Sequence, residues 1–397
     1  MVHLPTSKSI SNRLLVMRAL SGNRVEIIDL SESEDTLVMQ KAFSSDKPII
    51  DVGHAGTAMR FLAAYLCTRE GDHVLTGSER MQNRPIGKLV DALRQLGEEI
   101  AYLGKEGYPP LGIRGGKLKG GDVTIDGSIS SQYISAILMI APSLPGGLQL
   151  TIQNELISAP YVRLTLELMK QLGIEYHWKD NLISIAQQDY CKGIITVEPD
   201  WSAASYWYEL AALADKAEIL INGLRPGSLQ GDAAIERWFD ELGIKTEYTP
   251  EGAVIRNACS ARNFLELNFT GSPDMVQTFA VVCTLLDVSF RFTGTQSLRI
   301  KETDRIAALQ TELGKFGAKL SYQGNGVLSW EGPLKGIPPG GIEISTYHDH
   351  RMALAFAPVV AKTGEMIIQD PSVVAKSYPG FWDAMKGLGF QISETKG

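Results

Sequence analysis

The sequence predicts an α/β protein assembled from repeated units of helix and strand. Three observations predict it. Amphipathic helical stretches ending in Leu-Gly or Phe-Gly recur along the chain. Each is followed by a run rich in β-branched or aromatic residues. The glycines that close the helices are almost evenly spaced.

The copies read LVDALRQLGEEIAYL, LTLELMKQLGIEYHW, IERWFDELGIKTEY, LQTELGKFGAKLSY and FWDAMKGLGFQI. Their glycines, Gly97, Gly173, Gly243, Gly317 and Gly389, lie 76, 70, 74 and 72 residues apart. A glycine just past the last helical turn takes the left-handed conformation that ends a helix. The residues beyond it favour a strand. One such junction carries little weight, but five at near-constant spacing read as a structural repeat. A sixth unit precedes these, with its helix near Asp35-Thr36-Leu37-Val38-Met39. Only 54 residues separate Phe43 from Gly97, so this first unit is expected to be shortened. Ser44–Pro48 and Ile337–Gly341 read as turns.

At 397 residues, with 44% apolar and 21% charged side chains, the chain has the size of two or three globular domains. Its longest apolar runs, such as Ile134–Pro142 and Phe279–Leu286, are too short to cross a hydrocarbon layer of ~30 Å. The start, Met-Val-His-Leu-Pro, has neither the basic nor the apolar region of a signal peptide, so a cytoplasmic protein is expected. Cys67, Cys191, Cys259 and Cys283 have no metal-ligand or redox spacing and are expected to be buried apolar thiols. The net charge of −7 argues against non-specific nucleic-acid binding. Anions would have to be held by local clusters of cations.

Several segments have that character. Leu4 to Arg13 places Thr6, Ser7, Lys8, Ser9, Ser11 and Arg13 at the start of an apolar helical run, where unpaired N–H groups can meet phosphate or carboxylate. Gly53-His54-Ala55-Gly56-Thr57-Ala58-Met59-Arg60 enters a helix of small residues, and glycine there lets a ligand approach the backbone. It is not a P-loop, because no Gly-Lys-Ser/Thr follows at the required spacing. Arg80-Met81-Gln82-Asn83-Arg84-Pro85 sets two guanidinium forks beside a proline suited to a first helical turn. Asp126 to Gln132 brings Ser130, Ser131 and Gln132 to another helix start as neutral donors. Arg299-Ile300-Lys301-Glu302-Thr303-Asp304-Arg305 is the densest charge block. If helical, it places Lys301 and Arg305 on one face. His348 and His350 in Thr346 to Ala353 lack further ligands for a metal site. Lys376 precedes a last helix.

Taken in order, SKSISNR, GHAGTAMR, RMQNRPIGKLVDAL, DGSISSQY, ISAPYV, EPDWSAASY, PDMVQTFA, LRIKETDRI, HDHRMA and AKSYPGF resemble the signature of the 5-enolpyruvylshikimate-3-phosphate synthases. The resemblance runs from Leu4 to about Gly389. It implies two similar domains, each of three βαβαββ repeats in an inside-out α/β barrel, with the first repeat truncated. Residues 10–198 would form the N-terminal lobe, and residues 1–9 with 199–397 the C-terminal lobe, with the active site in the cleft between them. It also implies transfer of the enolpyruvyl group of phosphoenolpyruvate to the 5-hydroxyl of shikimate 3-phosphate with release of phosphate. This is a step of aromatic amino-acid biosynthesis. The resemblance implies no metal or organic cofactor, no nucleic-acid or membrane partner, and a monomer.

Carried over residue by residue, the resemblance places shikimate 3-phosphate on Lys8, Ser9, Arg13, Ser130, Ser131, Gln132, Ser158, Asp274, Ser297 and Lys301. It places phosphoenolpyruvate on Lys8, Gly56, Arg80, Gln132, Arg305, Arg351 and Lys376. Asp274 would accept the 5-hydroxyl proton, Glu302 would handle the proton at C3, and Lys8 completes the catalytic set. The chain departs from the family pattern at His54, where asparagine is usual, at Phe61, where proline or leucine is usual, and at Ser297, where asparagine often stands. A stretch typical of the first repeat is absent between Asp35 and Gly53. Two alternatives are a catalytically impaired anion-binding relative and a UDP-N-acetylglucosamine enolpyruvyl transferase. The second would carry a reactive cysteine before its Arg-Pro motif, and Arg80 to Pro85 contains none.

Overall fold

The computed structural model describes residues 1–334, 336 and 341–394. Most of the turn expected at Ile337–Gly341 therefore lies outside the described residues. The chain divides into two compact units, Thr6–Val197 and Met1–Pro5 with Glu198–Gly397. The sequence reading ends the first lobe-crossing after residue 9. Lys8 and Ser9 instead open an unbroken helix, Lys8–Leu20, and a continuous hydrogen-bonded helix belongs to one unit.

One strand plan occurs four times. Ile49–Asp51 pairs parallel with Gly71–Thr76, which pairs antiparallel with Leu111–Gly115, which pairs antiparallel with Glu99–Tyr102. The same order and directions hold for Gly121–Asp126, Leu148–Gln153, Leu182–Ile185 and His177–Lys179. They hold again in the other unit for Val2–His3, Glu218–Asn222, Gly252–Asn257 and Ile244–Tyr248. The fourth copy is Phe264–Asn268, Ser289–Thr293, Val327–Trp330 and Ser321–Gln323. The first two strands need a helical crossover because they are parallel, and the last two form a hairpin.

The five helix-closing glycines all adopt left-handed backbone, with φ of 91°, 83°, 86°, 86° and 97°. A strand follows Gly97, Gly173, Gly243 and Gly317. None follows Gly389 within residues 390–394. Among the described residues, Val25–Ile28 pairs only with Gly193–Thr196, in parallel. Ile342–Ile344 likewise pairs only with Met366–Ile368 among the described residues. Among the described residues two sheets thus have only two strands, whereas shortening is expected of the first repeat alone.

Each unit has its own apolar core. Helices Val276–Leu285 and Trp201–Leu213 are buried almost throughout and are mostly apolar, with polar exceptions such as Gln277 and Glu209. The strands alternate, as in Glu218–Asn222, where Ile219 and Ile221 are buried and Glu218 is exposed. Cys67 and Cys283 are buried, but Cys191 and Cys259 are exposed, contrary to expectation. Both stand in the connections that return over Gly173 and Gly243, outside the helix and strand faces that form the core.

Candidate active site

In the unit Thr6–Val197 the predicted anion-binding segments are all helix starts. Lys8 begins Lys8–Leu20, Gly56 begins Gly56–Cys67, Ser131 begins Ser131–Ile140, and Ser158 precedes Ala159–Gln171. Ser130 caps its helix by accepting from Gln132 N–H at 3.3 Å. Ser158 holds left-handed backbone, φ 54°. Pro85 is not in a first turn: it lies ahead of the helix Gly87–Gln95, which begins after Ile86.

Arg13 ties three of these helices together. Its Nε donates to Thr165 at 2.7 Å, Nη1 to the Ser9 carbonyl at 2.8 Å, and Nη2 to Ser135 and the Tyr161 carbonyl at 3.3 Å. Phe61 and Tyr161 lie against its guanidinium, with ring centroids at 5.4 and 5.8 Å. Phe61, a departure from the family pattern, thus serves as an aromatic wall for this cation. All these partners are neutral, and burial pulls the Arg13 guanidinium down to about 10. A buried cation hydrogen-bonded only to neutral groups favours an incoming anion.

Lys8 pairs with Asp35 at 3.3 Å. Gln132 reaches the Gly56 helix through Thr57 at 3.2 Å. Around Gly56 stand two arginines that were not among the expected site residues. A Cβ at Gly56 would lie 2.5 Å from Nη1 of Arg84 and 2.6 Å from Nη1 of Arg60, and Arg60 donates to the Gly56 carbonyl at 2.7 Å. Arg80 stands in the one-turn helix Glu79–Gln82, and its guanidinium makes no hydrogen bond or ion pair among the described residues.

In the other unit, the expected charged residues gather into one network. Asp274 Oδ1 meets Arg305 Nη1 at 2.8 Å and Lys301 Nζ at 3.4 Å, and its Oδ2 meets Arg351 Nη2 at 3.4 Å. Glu302 meets Arg305 at 2.9 Å and Lys376 at 3.0 Å. Arg305, 1% exposed, is also held by Asp349. Arg351 leans on the hydroxyls of Tyr206 and Ser202, and Ser202 in turn donates to Asp232. Burial works to raise the Asp274 carboxyl, but Lys301, Arg351 and Arg305 outweigh it and hold the group well below the usual carboxylate range. Burial would lower Arg305, but Asp349, Glu302 and Asp274 outweigh that and hold it above its ordinary value.

The block 301–305 is not one helix. Asp304 caps the helix Arg305–Gly314 by accepting from Ala307 N–H at 3.1 Å, and residues 301–303 lie outside it as bends. Lys301 and Arg305 meet through their shared partner Asp274, not by helical periodicity. Ser297 sits in the turn Gln296–Ile300 just before Lys301, and its side chain makes no hydrogen bond among the described residues. Asp349 was missed, although its place just before the helix His350–Phe356 is a capping signal: it accepts from Arg351 N–H at 3.0 Å.

The EPSP synthase (3-phosphoshikimate 1-carboxyvinyltransferase) family matches residues 40–385. A 3-phosphoshikimate 1-carboxyvinyltransferase of Bacteroides fragilis is 49% identical over 392 residues, covering 98% of this chain and 95% of its own. This chain belongs to the EPSP synthase family. A relative of the same name from Vibrio cholerae is 37% identical over 416 residues, covering 98% of this chain and 96% of its own. Among solved structures, the EPSP synthase from Acinetobacter baumannii superposes with a TM-score of 0.74 at 23% identity, covering 97% of this chain and 95% of its own. That likeness supports the EPSP synthase fold. No helix among the described residues is long and apolar enough to cross a membrane.

Proposed function

We propose that this chain acts as its family does, transferring the enolpyruvyl group of phosphoenolpyruvate to the 5-hydroxyl of shikimate 3-phosphate and releasing phosphate. The network around Asp274 carries the assignment of roles. Lys301, Arg305, Arg351 and Lys376 converge there on Asp274, Glu302 and Asp349. Such preorganised cations suit a reaction between two anions.

In this reading the 5-hydroxyl oxygen attacks C2 of phosphoenolpyruvate while C3 takes up a proton. The C2–phosphate bond then breaks and the same carbon, C3, gives the proton back. Asp274 accepts the 5-hydroxyl proton and Glu302 handles the proton at C3, with Lys8 assisting. Before binding, Asp274 shares its charge among three cations and is a weak base. Substrate phosphate and carboxylate then compete for those cations, and the proton affinity of Asp274 rises where it is needed. Lys8, Ser9, Arg13, Ser130, Ser131, Gln132, Ser158, Ser297 and Lys301 hold shikimate 3-phosphate. Gly56, Arg80, Gln132, Arg305, Arg351 and Lys376, again with Lys8, hold phosphoenolpyruvate.

The proposal includes a cytoplasmic monomer. It also reads each unit as three βαβαββ repeats, which the strand plan recurring four times supports. The experiment is release of inorganic phosphate from phosphoenolpyruvate, with and without shikimate 3-phosphate. Release that depends on shikimate 3-phosphate is expected. Release without it, or none with it, would overturn the reading.

A further inference from the structure

The loop leading to Gly56 and the turn leading to Arg80 run side by side. Val52 N–H donates to the Thr76 carbonyl and Ser78 N–H to the Gly53 carbonyl, both at 3.0 Å. One side-chain bond adds to these. Ser78 Oγ lies 2.8 Å from Nδ1 of His54. The same Oγ accepts from Met81 N–H at 3.3 Å and so caps the one-turn helix Glu79–Gln82.

A serine hydroxyl has one proton, and to cap a helix it must turn a lone pair toward the backbone N–H. In the tautomer that carries its proton on Nε2, His54 Nδ1 accepts the Ser78 proton and so favours the capping rotamer. A helix of one turn has little stability of its own and depends on such contacts. Because the Arg80 guanidinium has no partner among the described residues, its placement is inherited from that short helix.

We propose that His54 is a positioning residue for Arg80, acting through the Ser78 cap, and so tunes the affinity for phosphoenolpyruvate. This rests on the role given to Arg80 above. His54 is exposed and the bond is single, so the effect is modest. Where the family usually has asparagine, an amide would stand at this position instead.

The test is steady-state kinetics on His54→Ala, Ser78→Ala, the double variant, His54→Asn and, as a control, Arg80→Ala. His54→Ala is expected to raise KM for phosphoenolpyruvate about three- to tenfold, the range for one lost hydrogen bond, with kcat and KM for shikimate 3-phosphate within about twofold. Ser78→Ala should match it, the double variant should be no worse than the larger single, and His54→Asn should recover part of the loss. Multiplying effects in the double variant, a fall in kcat alone, or an unchanged KM in both singles would overturn the proposal. If Arg80→Ala itself leaves KM for phosphoenolpyruvate unchanged, the role of Arg80 fails and this proposal fails with it. If only the His54 and Ser78 variants are silent, the site reading stands and the positioning role alone falls.

Discussion

Asp349 grips the Arg305 guanidinium with both carboxylate oxygens, at 2.7 Å to Nε and 3.1 Å to Nη2. Both side chains are almost wholly buried. The same carboxylate caps the helix that carries Arg351. One buried acid therefore orients two cations of the site, although it touches neither substrate in the proposed scheme. Asp349→Asn keeps an oxygen for the cap but removes the charge. Arg305 keeps Asp274 and Glu302 but loses the acid that grips it with two oxygens, and a stability loss of ~2–3 kcal/mol is expected, at or below what an uncompensated buried charge costs. Urea unfolding at neutral pH measures it, and a loss under ~1 kcal/mol would show that the ion pair is not what holds Arg305.

Asp274→Asn and Glu302→Gln keep size and remove proton transfer. Each is expected to lower kcat by ~10²–10⁴ while binding of shikimate 3-phosphate stays within about tenfold. Steady-state rates with equilibrium binding of shikimate 3-phosphate separate the two effects. A Glu302→Gln enzyme within about threefold of the parent rate would leave Glu302 as a mere partner of Arg305 and Lys376.

Gly56→Ala places a methyl group where Arg84 and Arg60 already crowd the position. Both obstacles are ends of flexible side chains, so the fold should survive while the guanidinium groups shift. Overpacking of this kind costs ~1–3 kcal/mol. If that cost falls on ligand binding, KM for phosphoenolpyruvate rises about tenfold, since ~1.4 kcal/mol is a factor of ten. An equal rise in KM for shikimate 3-phosphate would contradict a phosphoenolpyruvate site at Gly56.

Glu209 is fully buried in the helix Trp201–Leu213, and neither carboxyl oxygen has a partner among the described residues. Burial raises it well above the ordinary value. The folded state therefore keeps a proton that the unfolded chain releases near pH 4.5. Stability falls as pH rises from there toward the folded-state value, by up to ~1.4 kcal/mol per pH unit. Glu209→Gln removes the titration, so the difference in unfolding free energy between pH 5 and pH 8 should shrink. Thermal melts of both proteins across that window check it; parallel curves would mean that Glu209 is not titrating in the fold.

Much of the molecule was legible along the chain because the causes are local. A glycine after a helical run ends the helix wherever it stands, and Gly97 to Gly389 all do so with left-handed backbone. Hydroxyl-rich starts such as Ser130-Ser131 are helix starts for the same near-neighbour reason. What the sequence by itself determined was therefore the repeat, the helix starts and ends and, through the order of its motifs, the family.

Other features depend on residues far apart. Arg305 meets Asp349 across 44 positions, and Arg13 meets Thr165 across 152. Ion-pair geometry at that separation is set by how helices pack, and no periodicity announces it. The same reason explains the misplaced helical face at Lys301 and Arg305. Both readings of that block satisfy local propensity, and the three carboxylates around Arg305, with the Asp304 cap, decide between them. Likewise the chain at 390–394 has a strand's composition but no strand, because a strand exists only where another edge offers its hydrogen bonds.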